Sequence, residues 1–361
     1  MSAQPDMIAA ASADLPVFAT PQAWYGQDLA ARTDWLHRFT PTEIAELDRA
    51  VAQAEASGRD IINLRREDFP LPTLSARLAA VRSEVLKGRG FHLFRGVPVD
   101  RYTLRQSAIA YWGLGLYLGD EPVSQNGKGH VLGHVTNLGL DYADPEVRGY
   151  QTSARLAYHS DSSDIVALLC LRTARSGGLS SLVSTTTIWN EMVRSHPQHL
   201  RTLMRPLYYT RWGEIPANRK PWAEMPAFTP WQGQLISGYV RSAINKSQLM
   251  PEVPRLSAEQ IEAMAVLESL CADPRLHLDM ALEPGDVQIV CNHFILHSRT
   301  AYEDWPEPER RRHLLRLWLA CSDGPALPSH VTENQQGVSA SGRPDGIRVP
   351  GVPFVAPLSP E

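Results

Sequence analysis

The chain has 361 residues, 43% hydrophobic and 20% charged, which is enough apolar material to bury a sizeable core and too much for a mainly disordered or low-complexity protein. Lys and Arg number 35 against 39 Asp and Glu, and the resulting formal charge of −4 argues against a dedicated nucleic-acid binder with its usual basic surplus. No run of about 18 apolar residues exists, so no transmembrane helix is expected, and the N-terminus lacks the basic start and long apolar stretch of a secretory signal.

Residues 1–20 are rich in Ala, Ser and Pro and are expected to be loose. Thr40-Pro41-Thr42-Glu43 has the form of a capping box, with Thr40 as cap and Glu43 three residues on, and predicts a helix to Ala56 that stops at Ser57-Gly58. A second helix is predicted over 72–87, because Leu74, Leu78, Val81 and Val85 fall on one helical face. A strand is predicted over 91–97 and a third helix over 102–118.

Beyond residue 120 the texture changes to short β-rich runs at 165–172, 181–185, 206–211, 234–240, 287–291 and 314–320, punctuated by Gly, Pro and Asp. Helical patterns interrupt them at 187–195 and 257–271. Many short strands with scattered helices predict a mainly β, α+β chain built as a barrel or sandwich with helices outside. A Gly/Pro/Ser-rich tail follows Asn334. The four cysteines, Cys170, Cys271, Cys291 and Cys321, have no CxxC spacing. They are expected to be core thiols in a reducing, cytoplasmic setting.

Chemistry concentrates in Tyr158-His159-Ser160-Asp161. On a strand, His159 and Asp161 would point to the same face about 7 Å apart, which lets an imidazole and a carboxylate converge on one metal ion. A further histidine would complete a two-histidine, one-carboxylate site, whose open positions suit non-haem iron(II) better than zinc. His293 and His297 compete for that place, and spacing alone does not choose between them. His130 and His134 form another pair of histidines four apart, whose plainer reading is loop or surface residues. Trp112, Trp212 and Trp231 are pocket or core aromatics.

In the run Arg310-Arg311-Arg312-His313-Leu314-Leu315-Arg316-Leu317-Trp318, alternation puts Arg312, Leu314, Arg316 and Trp318 on one strand face. Two guanidiniums on an apolar strand need anionic partners, supplied either by protein carboxylates or by a dicarboxylate cosubstrate. Arg316 and Arg155, with Gln125 and Tyr158, are candidates for contact with a primary substrate that is itself small and anionic or zwitterionic. Gly177-Gly178-Leu179-Ser180 is a turn leading into a strand.

Taken in order, Gly88–Val97, Tyr158-His159-Ser160-Asp161, Gly177-Gly178-Leu179-Ser180, His297-Ser298-Arg299-Thr300-Ala301 and Arg312 with Arg316 resemble the taurine dioxygenase-like (TauD/TfdA) family over roughly residues 60–322. The resemblance implies a double-stranded β-helix, or jelly roll, over 21–330, flanked by the loose 1–20 and the tail 331–361. It implies iron(II) held by His159, Asp161 and His297. It further implies 2-oxoglutarate held through its far carboxylate by Arg312 and Ser180, and Arg316 nearer the substrate's anionic group. O₂ is the oxidant, succinate and CO₂ are the coproducts, and a small molecule, rather than nucleic acid or membrane, is the partner; homo-oligomerisation is open. The competing readings are a cupin-like metal-dependent hydrolase or isomerase and a non-catalytic jelly-roll binding protein.

Overall fold

The computed structural model describes residues 15–144, 147–215, 219–334 and 342–360. The first predicted helix is Pro41–Ala56, and its capping box is formed: the Glu43 N–H donates to Thr40 Oγ1 and the Glu43 carboxylate accepts from the Thr40 N–H at 2.8 Å. The second, Leu74–Lys87, starts two residues later than its periodicity predicts. Its first N–H groups, on Thr73 and Leu74, both donate to Glu46 Oε1 at 3.0 Å, so its cap comes from the preceding helix. The third, Leu104–Leu118, is buried on nearly every side. Gly115 lets it lie against the sheet, since a Cβ there would come within 2.8 Å of Leu317.

Two sheets carry the rest. The larger runs Leu36–Arg38, Phe91–Arg95, Val287–Cys291, Ile165–Arg172, His313–Ala320, with Glu121–Val123 and Gly133–Thr136 both pairing along the last of these. Its central strands are buried on both faces, which is why they read as unbroken apolar runs in the sequence. The smaller sheet runs His277–Met280, Ser180–Ser184, Ile295–Arg299, Leu156–His159. The chain is therefore α+β. All four cysteines are buried and free, and among the described residues no helix is long and apolar enough to cross a membrane.

Two expectations change. Residues 15–20 are not loose. The Phe18 N–H donates to Asn190 Oδ1 at 2.9 Å, Asn190 Nδ2 donates back to the Phe18 carbonyl at 2.8 Å, and Trp189 Nε1 donates to the Pro16 carbonyl at 2.6 Å, which seats this segment on the helix Thr185–Ser195. Residues 1–14 lie outside the described residues. His134 is no surface histidine either. It is buried, with Nδ1 2.7 Å from His313 Nε2 and Nε2 2.9 Å from the Pro357 carbonyl. The second contact comes from the C-terminal segment, which also docks through Ile347 N–H to the Ser124 carbonyl and Val355 N–H to the Gly129 carbonyl, at 2.8 and 2.9 Å.

These buried imidazoles make the fold sensitive to acid. Burial, reinforced by His134 and Arg172, holds His313 down to about 3, and burial with Arg89 and His37 holds His92 down to about 4. Both lie below the ordinary 6.5 of an unfolded histidine. The unfolded chain therefore binds more protons, and stability is complete above about pH 6.5 and falls as the pH drops toward these values. His313 alone should remove about 2 kcal/mol by pH 5. Thermal melts in chelator from pH 7.5 to 5 should show this decline, and His313→Asn should flatten it; an unchanged slope in that variant would refute the assignment.

Candidate active site

His159 and His297 are register partners in the antiparallel pair Leu156–His159 and Ile295–Arg299, and their rings lie 4.2 Å apart centre to centre. Asp161 Oδ1 is 3.8 Å from His159 Nε2. One ligand atom from each of the three residues lies within 4.8 Å of the others. His159 is the last residue of its strand, and Asp161 follows two residues on, before the bend at 162–164.

Neighbouring groups hold each of the three side chains. His159 Nδ1 donates to the Ala157 carbonyl at 2.9 Å, which leaves Nε2 as the lone-pair nitrogen facing Asp161. Asp161 Oδ2 accepts from Trp318 Nε1 at 2.8 Å and lies 3.6 Å from Arg316 Nη1, while the Asp161 N–H donates to Asn292 Oδ1 at 2.9 Å. Burial opposes ionisation of Asp161, but Arg316, the two histidines and the Trp318 indole more than offset it and hold the carboxyl below its ordinary range. Burial, followed by the neighbouring His159, pushes His297 down to about 3, so it is a neutral imidazole, as a metal ligand must be. Its Nδ1 is buried without a partner. Two imidazoles and one carboxylate on one side of an open cavity fit iron(II) with exchangeable positions.

A third residue distinguishes His293 from His297. His293 Nε2 is hydrogen-bonded at 2.7 Å to Asp164 Oδ1, in the bend that follows Asp161, and so belongs to a structural network. His297 is the histidine left facing Asp161.

A cavity of about 260 Å³ opens over the triad, lined by side chains of both sheets. Arg312, Leu314, Arg316 and Trp318 line it together, as strand alternation predicts. Arg316 sits against the triad: Nε donates to Gln125 Oε1 at 2.6 Å, and the guanidinium lies 4.6 Å from the Tyr150 ring centre and 5.0 Å from that of Trp318. Arg312 is buried, and its Nη1 has no partner. Ser180 lines the cavity and donates to Gln288 Oε1 at 3.0 Å.

The remaining predicted residues separate. Tyr158 is on the wall, with its hydroxyl 2.7 Å from Ser181 Oγ, and burial, against the Ser181 and Ser298 hydroxyls, pushes it up to about 12. Gln125 is buried behind Arg316 and holds that side chain from outside the cavity lining. Arg155 is a correction. It precedes the strand Leu156–His159, is exposed, and does not line the cavity, whereas each residue of that strand does. Of the tryptophans, Trp212 lines the cavity, Trp112 is core and Trp231 is exposed. Sequence reasoning missed Asn292, Arg148 and Arg299. The last was open to discovery, since it lies two residues beyond His297 on a strand and therefore on the same face.

A helix-flanked pair of sheets with two histidines and one carboxylate under a cationic cavity defines a non-haem iron oxygenase site. The chain belongs to the taurine catabolism dioxygenase TauD, TfdA family, whose profile matches residues 53–318. It is 29% identical over 330 residues to FR-33289 synthase of Streptomyces rubellomurinus, covering 89% of this chain and 95% of that protein. It is 28% identical over 308 residues to a taurine hydroxylase-like protein of Stachybotrys chartarum, covering 82% and 77%. Among solved structures, asparagine oxygenase in complex with Fe(II), 2S,3S-3-hydroxyasparagine and succinate superposes with a TM-score of 0.61 at 16% identity, over 86% of this chain and 98% of that one. The non-haem iron oxygenase OrfP in complex with Fe and alpha-ketoglutaric acid gives 0.61 at 16%, over 87% and 100%. The protein is an iron(II)- and 2-oxoglutarate-dependent oxygenase, which sets aside the hydrolase, isomerase and binding-protein alternatives.

Proposed function

We propose that this oxygenase acts on a small, net-anionic organic molecule, with His159, Asp161 and His297 holding iron(II), Arg312 and Ser180 holding the far carboxylate of 2-oxoglutarate, and Arg316 facing the substrate. The observation that carries this reading is the charge on the cavity wall. Arg148, Arg211, Arg241, Arg299, Arg312 and Arg316 line it, and among the described residues Asp161 is the only acidic side chain that does. Arg148 and Arg241 are matched from behind by Glu214 and Glu268. Asp161 is engaged by the triad, Arg316 and Trp318. An ammonium group entering the cavity would therefore find no carboxylate free to receive it, whereas an anion would find several guanidiniums.

Iron(II) in this site supplies O₂ activation coupled to oxidative decarboxylation of 2-oxoglutarate to succinate and CO₂, and hence the oxidation of a substrate C–H bond. The chain's own residues orient and exclude. The Ala157 carbonyl and the Trp318 indole fix His159 and Asp161. Leu168, Leu282, Leu314, Val331 and Ile347 supply an apolar wall that keeps water from the reacting carbon. The two sheets read as the two halves of a double-stranded β-helix, and four free cysteines fit a reducing cytoplasm.

The test is succinate release from 2-oxoglutarate by iron(II)-loaded protein in air, with small sulfonates, phosphonates and carboxylates set against their amino-bearing and neutral analogues. Net anions should stimulate release. Stimulation by amino acids alone would overturn the assignment. Arg316→Ala should raise the KM for the stimulating anion about ten- to a hundredfold, the worth of a charge-assisted hydrogen bond, with iron content checked in parallel.

A further inference from the structure

We infer that Arg299 is a second guanidinium for the far carboxylate of 2-oxoglutarate, sharing with Arg312 the neighbourhood of the Tyr302 ring. The inference rests on the oxygenase reading above and deepens it. Arg299 ends the strand Ile295–Arg299, two residues past His297, and faces the same cavity. Its register partner on the neighbouring strand is Ser180, so the two side chains stand side by side on one face.

Arg299 is 4% exposed and Arg312 5%. Arg299 Nη2 is used structurally, donating to the Thr152 carbonyl at 2.9 Å and to that of Ala154. Its Nε and Nη1 have no partner, and neither does Arg312 Nη1. The two guanidiniums lie 4.7 and 5.0 Å from the centre of the same Tyr302 ring. Asp304 is the nearby acid: its Oδ1 accepts the Arg312 backbone N–H at 2.8 Å, while its Oδ2 is buried without a hydrogen-bond partner and so receives no hydrogen bond from either guanidinium.

Two buried like charges with unsatisfied N–H donors are costly unless an anion enters between them. A carboxylate offers two oxygens with about four acceptor sites, enough to serve both arginines. The distal carboxylate of a 2-oxo dicarboxylate is the group this reaction brings into the cavity. A monocarboxylic 2-oxo acid of the same length would bind iron through the same end and leave both arginines unmatched.

The experiment is an anaerobic calorimetric titration of iron(II)-loaded wild type, Arg299→Gln and Arg299→Lys with 2-oxoglutarate and, separately, with 2-oxovalerate, in which a methyl replaces the distal carboxylate. Arg299→Gln should weaken 2-oxoglutarate at least tenfold and leave 2-oxovalerate within twofold of wild type, with Arg299→Lys in between. If Arg299→Gln binds 2-oxoglutarate as wild type does, the inference fails. It fails equally if both ligands weaken together, which would mean that Arg299 only props the carbonyls of Thr152 and Ala154. Should the glutamine variant not fold, the lysine variant decides: at least threefold weaker binding confined to 2-oxoglutarate supports the inference, and unchanged binding overturns it. A wild type that binds neither acid would overturn the oxygenase reading first, and this inference with it.

Discussion

Asp161→Ala should lower both iron(II) affinity and iron-dependent succinate formation by more than two orders of magnitude. Outer groups that merely orient a ligand are typically worth about 10- to 100-fold, and in the proposed site Asp161 is the ligand itself, the one anion of the set. Its loss removes the charge that balances the metal and leaves Arg316 Nη1 and Trp318 Nε1 without the oxygen they now share. Two variants separate these effects. Asp161→Asn keeps an acceptor for Trp318 but not the charge, and should behave nearly as badly as alanine. Trp318→Phe keeps the charge but not the orienting hydrogen bond, and should lose only about 10- to 100-fold. Iron affinity measured against a competing chelator, alongside succinate release, checks all three. An alanine variant that still holds one iron per chain and turns over would place the metal elsewhere.

How much of this was legible in the sequence depends on how far apart the interacting residues lie. The capping box at Thr40 and Glu43 is local and reads directly, and the strands Ile165–Arg172 and Val287–Cys291 read to the residue because burial on both faces leaves an unbroken apolar run. The start of Leu74–Lys87 does not, since its cap is Glu46, 28 residues earlier. The residue types of the candidate metal site were visible in His159-Ser160-Asp161, whose side chains do converge, although the strand itself ends at His159. The choice between His293 and His297 needed Asp164, brought beside His293 across 129 residues of chain. The wall residue Ile347, carried on a Gly/Pro-rich tail with no periodicity, had no local signal at all.

The second large effect is on stability, at Asp164. This carboxylate is fully buried and accepts from His293 Nε2 at 2.7 Å, from the Cys321 N–H at 2.8 Å, and from Arg343 through Nε at 3.0 Å and through Nη2. Burial opposes its charge, but His293 and Arg343 hold it below its ordinary range. Breaking a buried pair by removing one partner typically costs about 3–5 kcal/mol, because the other charge stays buried, and Asp164→Ala should fall in that range in a denaturant titration. Arg343→Met should cost a similar amount. The double variant Asp164→Asn/Arg343→Met should cost clearly less than the sum of its singles, since neither charge is then stranded. The consequence reaches the metal. Asn292 bonds the Asp161 N–H through Oδ1 and the Ser163 carbonyl through Nδ2, and its own N–H donates to the Asp164 carbonyl, so the turn bearing Asp161 and the turn leading to His297 are tied at the residue Arg343 clamps. Arg343→Met should therefore lose iron at a lower temperature than wild type although Arg343 touches no ligand. If that variant unfolds and releases iron as wild type does, the C-terminal segment is a passenger on this fold and Asp164 is held by His293 and Cys321 alone.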